Sequence, residues 1–249
     1  MRRLYFAALA ALALMGCGSY QSYTDTIEVN GQRLFYAAEG KGKPVILIHG
    51  NGGSHKSMRR QLLQLALRGY RVYALDSRGQ GANEPLTEYH YADMAEDVYL
   101  FCQALGINKP IVYGWSDGGI IALMAEIAHP GLFRAIATSG ANITPDGVTE
   151  FAEREAELRE EFKSNPLFLM MLDEPHITPS ELGTIACPCL IMAGDHDSIS
   201  EEHTRLIASS IPNAELHIVP NADHGSYIKH CSKAGKIILK WLRGYTFLP

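Results

Sequence analysis

The chain has little of what nucleic-acid binding demands: 22 Lys and Arg against 27 Asp and Glu leave a formal charge of −5, and no segment gathers the cations into a patch. Without a basic surface to neutralise phosphates, a nucleic-acid partner is not expected. Long apolar runs are missing too. The run at residues 4–15 is shorter than the about 18 consecutive apolar residues that span a bilayer. Cysteine is sparse, five residues in all, and Cys187-Pro188-Cys189 is too tightly spaced for a structural zinc site and has no matching Cys/His pair. No glycine-rich stretch ends in the Lys-Ser/Thr of a phosphate-binding loop or keeps G-x-G-x-x-G spacing. Neither a metal nor an organic cofactor is therefore expected.

What is present begins at the N-terminus. A basic start, Met1-Arg2-Arg3, precedes the apolar run, and Gly16-Cys17 follows it, which reads as an export signal over residues 1–16. Leu14-Met15-Gly16-Cys17 resembles the bacterial lipobox. That resemblance implies a diacylglyceryl group on Cys17 and an exported bacterial lipoprotein, anchored in a membrane on the periplasmic side or at the cell surface. Residues 17–25, small and polar apart from two tyrosines, are expected to form a linker to a globular domain over 26–249. With Cys17 assigned to lipid, Cys102, Cys187, Cys189 and Cys231 remain, free or paired.

Hydrophobic content of 47% over 249 residues suits one compact domain. Asn30-Gly31 between residues 26–29 and 33–38 is a strong hairpin signal and predicts an opening antiparallel pair. Short apolar runs then alternate with amphipathic stretches. Strands are predicted over 45–48, 72–75, 111–113, 135–138, 190–193 and 216–219, and helices over 57–68, 91–105, 118–128, 201–210 and 226–242. This alternation predicts an α/β fold with an eight-stranded, mostly parallel sheet. One interval, residues 142–186, breaks the rhythm with a charged helical stretch, a Met-rich segment and a proline-punctuated tail. It is expected to form a small helical lid at the sheet's C-terminal edge, where ligands bind in such folds.

Gly114-Trp115-Ser116-Asp117-Gly118 has the form G-x-S-x-G, directly after an apolar strand and before a helical pattern, which makes Ser116 a candidate nucleophile. A serine hydroxyl needs a base within hydrogen-bond reach, and the base needs a carboxylate to fix its tautomer. Among ten histidines, His224 follows the last predicted strand, in Asn221-Ala222-Asp223-His224-Gly225. For the acid, Gly194-Asp195-His196-Asp197 after the seventh strand offers both Asp195 and Asp197, and Asp223 is a third choice. An oxyanion needs donors, and His49-Gly50-Asn51-Gly52-Gly53 supplies flexible backbone, so the N–H groups of Asn51 and Asp117 are the expected pair. His49 itself reads as a hydrogen-bonding residue of the loop.

These motifs, with Asp76-Ser77-Arg78-Gly79-Gln80-Gly81, resemble the α/β-hydrolase superfamily in order and spacing from about Thr26 onward. The resemblance implies an acid at the fourth position of the G-x-x-D turn, which is Asp197, and leaves Asp195 as a turn or capping residue. It implies a serine hydrolase that cleaves a small carboxylic ester through an acyl-enzyme. Gly114-Trp115-Ser116-Asp117-Gly118-Gly119-Ile120 with Ser139-Gly140-Ala141-Asn142 is locally similar to the biphenyl hydrolase-like valacyclovir hydrolase family. In that family the Asp after the nucleophile holds an ammonium group, which implies a substrate-binding role for Asp117 and an α-amino-acid ester substrate. The alternative is an Asp117 stabilised by the helix N-terminus with no substrate contact. The fold also hosts peptidases, lactonases and carbon-carbon bond hydrolases, and a non-catalytic, lipid-anchored binding protein is a further alternative. A haloalkane dehalogenase is disfavoured, because its nucleophile is a carboxylate and this turn presents a serine.

Overall fold

The computed structural model describes residues 20–245, so the expected signal segment and Cys17 lie outside the described residues. The chain opens with β1 (Gln21–Val29) and β2 (Gln32–Gly40), an antiparallel hairpin turning through Asn30 and Gly31 at φ 47° and 71°. Two consecutive left-handed residues match the twist of the flanking strands. β1 begins at Gln21, inside the stretch expected as linker, and pairs Gln21 with Gly40. The ladder continues because backbone pairing asks nothing of the side chains. Glu39 then accepts hydrogen bonds from Tyr20 and Ser22 on the exposed edge, which a search for apolar alternation does not detect.

Six more strands follow: β3 (Lys43–Ile48), β4 (Tyr70–Leu75), β5 (Ile111–Trp115), β6 (Ala135–Ser139), β7 (Cys189–Gly194) and β8 (Ala214–Val219). The sheet order is β1-β2-β4-β3-β5-β6-β7-β8, with every pair parallel except β1–β2 and β2–β4. Eight α-helices flank it among the described residues: α1 (Arg59–Ala66), α2 (Tyr91–Ala104), α3 (Asp117–Ala128), α4 (Thr149–Glu161), α5 (Pro166–Asp173), α6 (Pro179–Leu182), α7 (Glu201–Ser210) and α8 (Lys233–Leu242).

Both sheet faces are covered, which is why β3 reads as a continuous apolar run. Ile46 and Ile48 point to one side and pack with Phe101 of α2, Ile121 of α3 and Ile207 of α7. Val45 and Leu47 point to the other and pack with Leu62 and Leu65 of α1 and with Ile238 and Trp241 of α8. Each such buried side chain contributes about 1.5–3 kcal/mol of transfer free energy.

α8 starts at Lys233, later than its amphipathic pattern suggests. His230 sits at φ 53°, a left-handed conformation that no right-handed helix can run through. The four thiols among the described residues are free, with Cys102 and Cys189 buried and Cys187 and Cys231 half-buried.

Helices α4 and α5 form a small helical lid with its own apolar cluster of Val148, Phe151, Leu158, Leu172 and Ile199. Its root is sewn to the loop after β7. Val148 bridges Ile199, Thr149 N–H donates to Ser198 O (3.0 Å) and Ser200 N–H donates to Gly147 O (3.1 Å). The Glu155–Arg159 pair, one helical turn apart, adds only about 0.2–0.5 kcal/mol, while Glu150 and Arg154 pair across a kink in α4, where Arg154 leaves helical geometry at φ −134°.

Candidate active site

The sheet delivers Ser116 to the turn between β5 and α3 at φ 55° and ψ −122°. A non-glycine residue held there stores roughly 1–3 kcal/mol of strain. Two contacts over-determine it: Ser116 N–H donates to Ser139 O (2.8 Å) and Ser116 O accepts from Gly119 N–H (2.7 Å). The flanking glycines are steric requirements. A Cβ on Gly114 would lie 2.0 Å from Gly118 O, and one on Gly118 would lie 2.1 Å from Ile48 O.

Three side chains far apart in sequence meet here. The Ser116 Oγ lies 3.0 Å from His224 Nε2, and His224 Nδ1 lies 2.6 Å from Asp197 Oδ1. Asp197 is fully buried in its side chain. Its Oδ1 also accepts from Ile199 N–H and its Oδ2 from Gly194 N–H, both at 3.1 Å. A carboxylate opposite Nδ1 keeps the imidazole hydrogen on that nitrogen and turns the Nε2 lone pair toward the hydroxyl. The Trp115 indole N–H donates to His224 O at 2.9 Å and fixes the loop from the other side.

The other acid candidates serve their own turns. Asp195 accepts from Asn221 and Ala222 N–H, both at 2.9 Å. Those two bonds, with His196 beside it, hold its carboxyl at about 2, below the ordinary value. Asp223 accepts from Gly225 and Ser226 N–H and closes the turn after His224.

The loop after β3 lies against the nucleophile, since a Cβ on Gly50 would stand 3.0 Å from Ser116 Cβ. His49 braces it from within. Its Nε2 accepts from Ser77 N–H (3.0 Å), so the hydrogen sits on Nδ1 and is donated to Gly50 O (2.7 Å). Burial pushes the His49 pKa down and keeps the ring neutral. Gly52 N–H donates to Gln80 Oε1 (2.8 Å), tying the loop to the segment after β4. Asp117 is the first residue of α3, where the helix provides no intrahelical acceptor for its N–H. The amides of Asn51 and Asp117 thus belong to the two segments that flank Ser116.

The Asp117 side chain is enclosed within the protein. Its carboxyl is buried (2% exposed), accepts from Asn51 Nδ2 at 2.9 Å and lies close to the Tyr91 hydroxyl. Burial pushes its pKa up to about 6, against the opposing pull of Asn51 and Tyr91. Asp117 does not line the cavity in front of Ser116.

That cavity, about 540 Å³, is walled by Ser116, His224 and Asn51 at its floor and by Phe151, Phe162 and Phe168 of the lid side. Phe162 stacks on Phe168 with centroids 3.9 Å apart. Charges stand among the lining residues: Arg154 is paired with Glu150 at 2.6 Å, and the Lys229 ammonium lies 4.8 Å over the Trp115 ring.

Sequence reasoning gave no role to Gly140, Tyr91 or Trp115. A glycine ending the sixth predicted strand is a visible signal for Gly140, but nothing in the sequence says that an imidazole lies above it.

The model of the α/β hydrolase fold family matches residues 43–176. Human serine hydrolase BPHL is 27% identical over 248 residues, covering 87% of this chain and 85% of its own length. Among solved structures, Rv0554 from Mycobacterium tuberculosis superposes with a TM-score of 0.77 at 21% identity, covering 91% of this chain and 100% of its own. A thermophilic esterase from Thermogutta terrifontis does so with a TM-score of 0.71 at 21% identity, covering 91% and 99%.

Proposed function

The chain belongs to the α/β-hydrolase fold family, and on that footing we propose that it is a serine hydrolase that cleaves a small carboxylic ester through an acyl-enzyme. The observation that carries this reading is the hydrogen-bonded line Asp197–His224–Ser116, at 2.6 and 3.0 Å. His224 Nε2 takes the Ser116 proton as Oγ attacks the acyl carbon, and the amides of Asn51 and Asp117 receive the oxyanion. The imidazolium, steadied by Asp197, then protonates the departing alkoxide. A water deprotonated by His224 attacks the acyl-serine, and Ser116 leaves with the proton returned. Each step balances without a metal or an organic cofactor.

The phenylalanines of the lid wall, Phe151, Phe162 and Phe168, favour esters with aliphatic or aromatic groups. The α-amino-acid ester refinement leans on likeness to BPHL and needs an ammonium partner other than the buried Asp117 carboxyl. The test is a panel of p-nitrophenyl esters on the wild type and Ser116→Ala. Turnover confined to the wild type supports the reading, and equal rates for the two sink it.

We propose further that Cys17 carries lipid and holds the enzyme on a membrane, a reading supported by the lipobox-like Leu14-Met15-Gly16-Cys17. Palmitate incorporation by the full chain, abolished in Cys17→Ser, tests it, and unlabelled wild type would reject it.

A further inference from the structure

The two residues whose amides are proposed to receive the oxyanion are joined by their own side chains. Asn51 Nδ2 has two hydrogens and both are spent: one goes to Asp117 Oδ2 at 2.9 Å, the other to the carbonyl of Leu167 in α5 at 3.3 Å. The loop after β3, the start of α3 and the lid helix therefore converge on one side-chain amide. Asp117 is shielded from bulk solvent at 2% exposure; Asn51 donates to its carboxyl, and the Tyr91 hydroxyl lies close to it. Tyr91 is itself 1% exposed and opens α2. Its backbone N–H donates to Glu174 Oε2 at 2.9 Å, and Glu174 Oε1 lies 2.6 Å from His90 Nδ1. Glu174 ends α5. One face of the network is thus fastened to the start of the lid helix and the other to its end.

A buried carboxyl is costly unless every lone pair finds a donor, so this one is explained by what it holds. We infer that Asp117 is a positioning residue: through the Asn51 side chain it sets the spacing of the two oxyanion-binding amides and couples that spacing to the docking of α5, without touching substrate. The inference rests on the serine-hydrolase reading for its catalytic half. Its structural half, the fastening of α5, does not depend on turnover. Oxyanion donors act only when held at the position where charge develops, and a displacement of about 1 Å at such a site costs about 100-fold in rate.

The test uses the full chain and the variants Asn51→Ala, Asp117→Ala, Asp117→Asn and the double alanine variant. Asn51→Ala keeps the backbone amide and alters only a half-buried loop side chain, so it remains informative if a variant at the buried Asp117 folds poorly. Turnover is measured with p-nitrophenyl butyrate and with a valine p-nitrophenyl ester. The expected result is a fall in kcat of about 10- to 100-fold for both esters in Asn51→Ala and in Asp117→Ala, with KM changed little. The double variant should be no worse than either single one, as for two ends of one interaction. Asp117→Asn, which retains one acceptor oxygen, should recover part of the loss.

Amide hydrogen exchange across α5 supplies the second readout and should quicken in both alanine variants. A loss confined to the valine ester, expressed in KM and absent from Asn51→Ala, would overturn the inference in favour of an ammonium anchor. Unchanged exchange in α5 would overturn the coupling. If even the wild type turns over no ester, the serine-hydrolase reading and the oxyanion half fall together, while exchange still decides whether Asn51 and Asp117 fasten the lid.

Discussion

Gly140 lies directly beneath the imidazole of His224: a Cβ there would stand 2.7 Å from both Cε1 and Nδ1 of the ring, and Gly140 itself is at φ 59°. The end of β6 is thus shaped to leave a flat floor for the base. Gly140→Ala should tilt the ring off the Ser116–Asp197 line and lower kcat/KM by about 100-fold. The left-handed backbone adds a stability loss of about 1 kcal/mol. Kinetics paired with thermal melts check both, and a variant of normal activity would mean that the ring is not held from below.

Asp195 and Asp197 stand two residues apart yet should behave differently. Asp197→Asn removes the charge that orients and steadies His224, and a loss in kcat of about 10⁴-fold is expected. Asp195→Asn should leave kcat within a few fold. Its signature lies in stability against pH. The folded carboxyl titrates at about 2, below the unfolded value of about 3.9. Between those values the unfolded chain binds the proton first, so falling pH favours unfolding. The wild type should lose stability across that window, and Asp195→Asn should show a shallower loss in pH-resolved denaturation.

His203 supports the lid root from below. Its Nε2 accepts from Ile143 N–H at 2.9 Å, and a Cβ on Gly147 would stand 2.6 Å from the same atom. Burial lowers its pKa, with Asp146 acting the other way. The neutral ring is thus the form that fits, and protonation removes the lone pair that Ile143 uses. Its stabilising contribution is whole above the unfolded value of about 6.5 and declines as pH falls below it, because only the unfolded ring gains a proton there. Thermal melts from pH 8 to 5 should fall more steeply for the wild type than for His203→Gln, and parallel curves would contradict the assignment.

Ser116 occupies a conformation that suits glycine. Ser116→Gly should abolish ester turnover while raising stability by about 1 kcal/mol through release of backbone strain. Differential denaturation of the two proteins measures this, and an unchanged or lowered midpoint would show that the turn is not strained.

Much of this was readable before any coordinates. β3 through β7 declared themselves as apolar runs because strands covered on both faces ask for little else, and the edge strand β8 showed a shorter apolar run at 216–219 with His217 exposed. Ser116 did so because only small residues tolerate its turn. The early start of β1 was hidden, since an exposed edge pairs through backbone and carries Gln, Ser and Asp without cost. The late start of α8 was hidden too, because the amphipathic pattern runs on through His230, whose left-handed φ is set by the turn around it. The Asp117 side chain shows the limit most plainly. Its place in the motif is fixed by local sequence, but whether it faces cavity or core depends on Asn51, Tyr91 and Leu167, all distant along the chain.

Labelling with a fluorophosphonate, followed by peptide mass analysis, tests the central claim most directly. The account predicts one adduct per chain on the peptide that contains Ser116, absent in Ser116→Ala and slowed by orders of magnitude in His224→Ala. An unlabelled wild type, or an adduct that persists in Ser116→Ala, would contradict it.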